Sequence, residues 1–131
     1  MGHETALALG ALLAFQIKHF LGDFVLQTAW QVRTKGIYGH VGGLVHSGIH
    51  ILGTIPILIY LDVSAGAAAI ILIGEFAVHY HMDWLKANID RVYQWGTQSQ
   101  RYWILFGVDQ LVHQLTYLAI VYVTLAGLLG R

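Results

Sequence analysis

The chain has no cysteine, a single proline in 131 residues, and only 11% Asp, Glu, Lys and Arg. The missing cysteine excludes a disulfide scaffold, a thiol redox enzyme, an iron–sulfur protein and a Cys-ligated zinc finger. Seven basic residues balance seven acidic ones and nowhere cluster. The positive surplus that holds nucleic acid is therefore absent, and no nucleic-acid partner is expected. A charged fraction below half the ~25% of an average soluble domain, beside 56% apolar residues, excludes disorder.

What is present is apolar sequence and histidine. Mean hydropathy is +0.60, and eight histidines outnumber the acidic or the basic residues. One domain, residues 1–131, divides into four predicted spans at about 5–30, 41–61, 65–92 and 102–129. Each suffices to cross ~30 Å of hydrocarbon at about 1.5 Å per residue. The stretches Gly53–Tyr60, Ala65–Gly74 and Leu115–Leu129 are apolar on every side, so they lack the polar outer face a soluble helix needs. Ser64 is the expected N-cap of the third span. The connections Gln31–His40, Asp62–Ser64 and Tyr93–Arg101 are short, which makes successive helices antiparallel. The predicted fold is an all-α membrane protein, a four-transmembrane-helix up-down bundle.

Arg33 and Lys35 lie in the first loop, and Lys86, Arg91 and Arg101 in or beside the third, with only Arg131 on the opposite side. The positive-inside rule then puts loops one and three in the cytoplasm and both termini outside. Trp30, Trp84, Trp95 and Trp103 all fall near that loop side, as an aromatic belt. No Lys or Arg precedes the first apolar run, so no cleaved signal peptide is expected.

Polar residues inside the spans recur at helical spacing: His19 and Asp23, His46 and His50, Glu75, His79 and Asp83, Asp109 and His113. Residues at i and i+4 share a helix face. Counting turns from the loops, four helices of alternating direction bring all these stripes to one level, in the cytoplasmic half. His19-x3-Asp23 recurs as His79-x3-Asp83 at an offset of 60, and His46-x3-His50 as Asp109-x3-His113 at an offset of 63. The two hairpins therefore read as parallel repeats, although Phe15 stands where the second has Glu75.

Imidazole and carboxylate without thiolate form the ligand set of Zn, Mn or Fe. Nine donors exceed one tetrahedral ion and suit two divalent ions, with the remainder as outer partners. Charge points the same way. Asp23, Glu75, Asp83 and Asp109 lie in the spans with only Lys18 beside them, an excess of three negative charges, and buried charge requires compensation. The expected metal ligands are His19, Asp23, His46, His79, Asp83, Asp109 and His113. Glu75 or His50 is the expected general base or a further ligand. The alternative is a hydrogen-bonded His–Asp network that only ties helices together.

Other polar residues carry plainer expectations. Lys18 pairs with a spare carboxylate or holds phosphate. Gln16, Gln27, Gln110 and Gln114 orient ligands or join helices. His81 lies off the stripe, and His3 and His40 lie outside the spans. Gly22, Gly48, Gly74 and Gly107 allow close helix approach, and Pro56 kinks the second span. Tyr38, Arg33, Lys35, Arg91 and Arg101 are interface anchors, the basic ones able to hold an anionic head group.

The run His19-Phe20-Leu21-Gly22-Asp23-Phe24-Val25-Leu26-Gln27 resembles the opening motif of a bacterial and phage membrane family, domain of unknown function 3307. Leu44-Val45-His46, Glu75-Phe76-x2-His79-x3-Asp83-x2-Lys86 and Asp109-Gln110-x2-His113 are similar to its later motifs. Lys18 departs from that pattern, where the family more often has an apolar residue. The resemblance implies an integral protein of the bacterial inner membrane and brings no established activity. A looser likeness, resting on the intramembrane His/Asp pairs, is to small inner-membrane proteins described as metal-dependent hydrolases.

The leading expectation is a membrane-embedded, dinuclear metal-dependent hydrolase. It would act from the cytoplasmic leaflet on a lipid-like or isoprenoid phosphate or ester. Membrane lipid is then the expected partner. Three other readings stand beside it: a non-enzymatic subunit of a homo-oligomer or larger membrane complex, binding haem or pigment through histidine; a metal or proton transporter; and a diiron lipid oxidase.

Overall fold

The computed structural model describes residues 2–129, and these form helices and turns without a strand. Helix α1 runs from His3 to Phe20 and passes into one π-helical turn, Leu21–Val25. A short α2 covers Ala29–Thr34, α3 Val41–Tyr60, α4 Ala65–Tyr93 and α5 Gln100–Leu125. His3–Val25, α3, α4 and α5 are long and apolar enough to cross a membrane. The protein is an all-α membrane protein, as its composition predicts.

Local chemistry sets the helix starts. Ser64, as expected, accepts from the Ala67 N–H to open α4. The Ser99 side chain caps α5, and the His40 ring accepts from the Gly42 N–H to cap α3. Pro56 lies inside α3, which continues to Tyr60.

The first span differs from expectation. A single helix to Trp30 is predicted, but the α-helix ends at Phe20, and the Leu26 N–H closes the π turn on the Leu21 carbonyl. The chain then starts afresh at Thr28. The Thr28 hydroxyl accepts from the Gln31 N–H while the Gln31 side chain accepts from the Thr28 N–H, a reciprocal cap that begins α2.

Helix α1 packs against α3 and α5, and α4 packs against the same two, while α2 lies on α3. Helices α1 and α4 therefore occupy one diagonal of the bundle and α3 and α5 the other, the placement two parallel hairpin repeats would give. Polarity runs inside out. His46 and His50 are 0% exposed, whereas Ile59 is 73% and Ile73 72% exposed. Only a hydrocarbon surround makes that distribution favourable.

The bundle is layered along its axis. Away from loops one and three, Ala11, Phe15, Ile57, Leu58, Leu61, Ile71, Tyr117, Ile120 and Val121 form an apolar core. Toward those loops the interior is polar. Of the glycines expected at close helix approaches, Gly22 is at one, because a Cβ there would run into the His50 ring. Gly48, Gly74 and Gly107 face open space, so that expectation fails for them: they lie on outward faces rather than helix seams. Arg131 lies outside the described residues.

Candidate metal centre

Each long helix contributes one i, i+4 pair at the same level, and all eight side chains converge. The π turn carries Asp23 inward. Its Oδ1 lies 2.9 Å from His50 Nε2 and 3.1 Å from His46 Nε2, and its Oδ2 lies 3.3 Å from His19 Nε2. From the opposite diagonal, Asp83 Oδ2 lies 3.1 Å from His46 Nε2 and 3.6 Å from His79 Nε2. His46 thus stands between two carboxylates. The His79 ring sits at the middle, with centroids 4.0 Å from His50 and 4.3 Å from His113.

Two donor sets have ligand atoms within 4.8 Å of one another: Asp23, His46, His50 and His79, and His79, Asp83 and His113. His79 belongs to both. A neutral imidazole offers one lone pair, so it serves one ion at a time. The first set already supplies the four ligands of a tetrahedral ion. Several buried atoms at the centre make no well-aligned hydrogen bond: both ring nitrogens of His79, His50 Nδ1, His113 Nε2, Asp83 Oδ2 and Asp109 Oδ1, the last three having only an ion-pair contact. Buried polar atoms are ordinarily satisfied, so donors left over at one place fit a cation.

Three expected ligands or catalytic groups stand outside these sets. His19 has both ring nitrogens engaged, Nδ1 3.1 Å from the Tyr117 hydroxyl and Nε2 2.8 Å from Gln110 Oε1. Asp109 Oδ1 lies 3.4 Å from His113 Nε2, and its Oδ2 lies 3.4 Å from Lys86 Nζ. Glu75 sits one turn deeper, paired with Lys18 and accepting from Thr54 Oγ1 at 3.0 Å. The Lys18 ammonium also lies 3.3 Å from the Tyr117 hydroxyl. Lys18, Thr54, Glu75 and Tyr117 thus form a polar layer between the centre and the apolar core. His50, expected as a general base or a further ligand, sits in the first donor set.

Lys35 and Lys86 overturn the expected charge distribution. Lys35, expected as an interface anchor, is buried, with Nζ 3.2 Å from Asp83 Oδ1. Lys86, counted with the third loop, turns inward to Asp109. The interior therefore holds four carboxylates and three lysines, and the negative excess falls from three to one. The reason differs for each. Lys86 lies three residues after Asp83, on a helix face directed at α5, and that spacing was readable. Lys35 reaches the centre only because α2 turns back over α3, which no periodicity reveals.

Other partners extend the stripes. Thr54 follows His50 by four residues, Tyr117 follows His113 by four, and Glu75 precedes His79 by four. The Gln27 amide nitrogen lies 2.9 Å from His46 Nε2, and Gln16 joins Gln114 across α1 and α5 at 2.5 Å. The glutamines therefore divide between holding donors and joining helices. His81 stays outside the centre, 3.1 Å from the Tyr38 hydroxyl.

A family model described as protein of unknown function (DUF3307) matches residues 11–129. No curated protein and no solved structure matches. The looser likeness to metal-dependent hydrolases has no support among these comparisons.

Proposed function

The chain belongs to the family of proteins of unknown function designated DUF3307, and from the geometry of its centre we propose that it is a membrane-embedded, metal-dependent hydrolase. The observation that carries this reading is the convergence of Asp23, His46, His50 and His79 from three helices, with ligand atoms within 4.8 Å. The first ion takes that set. For the second ion that the number of donors predicts, Asp83 and His113 remain, with Asp109 Oδ1 3.4 Å from His113 Nε2. A divalent ion held there would supply Lewis-acid polarisation of a phosphoryl or acyl group and a water activated at neutral pH. The chain's own residues hold the ligands in place. Gln110 and Tyr117 fix the His19 ring against Asp23, and Gln27 braces His46.

The substrate is a lipid-like or isoprenoid phosphate or ester, because a centre inside a bundle that faces hydrocarbon is reached by molecules dissolved in the membrane. By the positive-inside rule the centre lies in the cytoplasmic half of a bacterial inner membrane, with both termini outside. The apolar core behind it favours chemistry over a transport path, since that side offers a polar substrate no route. The leading competitor is a non-enzymatic subunit whose polar layer locks the helices.

Elemental analysis of detergent-purified full chain tests the reading. Stoichiometric Zn, Mn or Fe, lost on Asp23→Ala, together with phosphate or acid release from lipid-like esters, is the expected result. Purified protein without metal would sink it.

A further inference from the structure

The hydrolase reading leaves the second donor set for another ion, but the lysines argue for a different occupant. Asp83 and Asp109 each face an ammonium, at 3.2 and 3.4 Å, and both lysine side chains are largely buried, 11% and 15% exposed. In the first set every ion-pair partner of Asp23 among the described residues is a histidine. An ammonium delivers one positive charge and three hydrogen-bond donors to a fixed place. Two of them deliver the charge of one divalent ion. The lysines approach from the side of loops one and three, Lys35 from the end of α2 and Lys86 from α4.

Resting on the proposed metal reading, we infer that Lys35 and Lys86 stand in for a second ion. The centre holds one divalent ion, on Asp23, His46, His50 and His79, and the two ammonium groups complete a subsite for the oxygens of a phosphate head group. The charge count fits. Four interior carboxylates against Lys18, Lys35 and Lys86 leave one negative charge. One divalent ion turns this to one positive charge, which a phosphate monoanion neutralises; two ions leave three positive charges in a dry interior, where uncompensated charge is costly. Each lysine turns to one carboxylate, and an ammonium carries two further donors that a phosphoryl oxygen would accept. The substrate class narrows accordingly, to lipid-like phosphates rather than uncharged esters.

The test uses detergent-purified full chain loaded with zinc. Metal per chain is counted by elemental analysis, and orthophosphate binding is measured by calorimetry. The expected result is one zinc per chain and a phosphate affinity that falls about tenfold or more for each lysine replaced by Met. In Lys35→Met/Lys86→Met, the freed carboxylates take up a second zinc. Lys35→Arg and Lys86→Arg keep the charge, hold the count at one and retain phosphate. Two zinc ions in the unaltered chain overturn this inference and leave the hydrolase reading standing. Phosphate affinity that ignores both Met substitutions overturns it as well. A chain that binds no zinc removes the parent reading and this one together.

Discussion

The two hairpins present matching pairs to one centre and equip them differently. In α1 and α3, Asp23 is surrounded by His19, His46 and His50, and a π turn brings it there. In α4 and α5, Asp83 and Asp109 each hold a lysine, and α4 runs unbroken through Asp83. A recurrence of His/Asp-x3 pairs reads as symmetry, yet counter-charge is distributed asymmetrically. Donor spacing says where a centre lies, and the placement of lysines says how its halves divide their work.

The largest expected effect comes from stranding a lysine. Asp83→Ala leaves Lys35 buried and unpaired, and should lower unfolding stability by about 3–5 kcal/mol, as read by denaturation in detergent. Metal should remain on Asp23, His46, His50 and His79; if it is lost, the division between the two donor sets is wrong. Asp23→Ala reverses the pattern. It removes a proposed ligand, so metal affinity should drop by more than the ~10–100-fold that loss of an outer partner causes. Titration against a competing chelator would reveal it, and an unchanged affinity would return both halves to equal standing.

A smaller effect sharpens the comparison at equivalent positions. Gly22 and Met82 are related by the offset of 60. Gly22→Ala drives a methyl into the His50 ring and should weaken metal binding about tenfold, within the range for disturbed ligand support. Met82→Ala should leave affinity unaltered, and equal losses at both would argue against the asymmetry. The smallest effect is Thr28→Ala, which removes the cap of α2 at about 1 kcal/mol. Hydrogen exchange should accelerate across Ala29–Thr34 and not across α4, because α2 is what places Lys35.

The four spans, the start of α4 at Ser64 and the common level of the eight ligand-type residues were legible because helical periodicity and apolar length are local properties. The break after Val25 was also written locally, in Thr28-x-x-Gln31, but an apolar surround makes a span look continuous. Glu75 was misplaced by one layer: spacing puts it on the stripe of His79, and only the opposing Lys18 and Thr54 show which turn of the bundle it serves. The inward reach of Lys35 depends on tertiary packing and has no signature along the chain.

The apolar core has an electrical consequence. Moving one elementary charge through a full membrane potential is worth ~2.3 kcal/mol per 100 mV. The voltage drops mainly where the interior is least polarisable, which is the layer built around Phe15, Ile57, Ile71 and Ile120. The histidine–carboxylate centre lies on the loop-one and loop-three side of that layer, with His50 midway along α3. A cation arriving from that side would not have to cross the layer, so its occupancy should respond less to the membrane potential than that of a site beyond it.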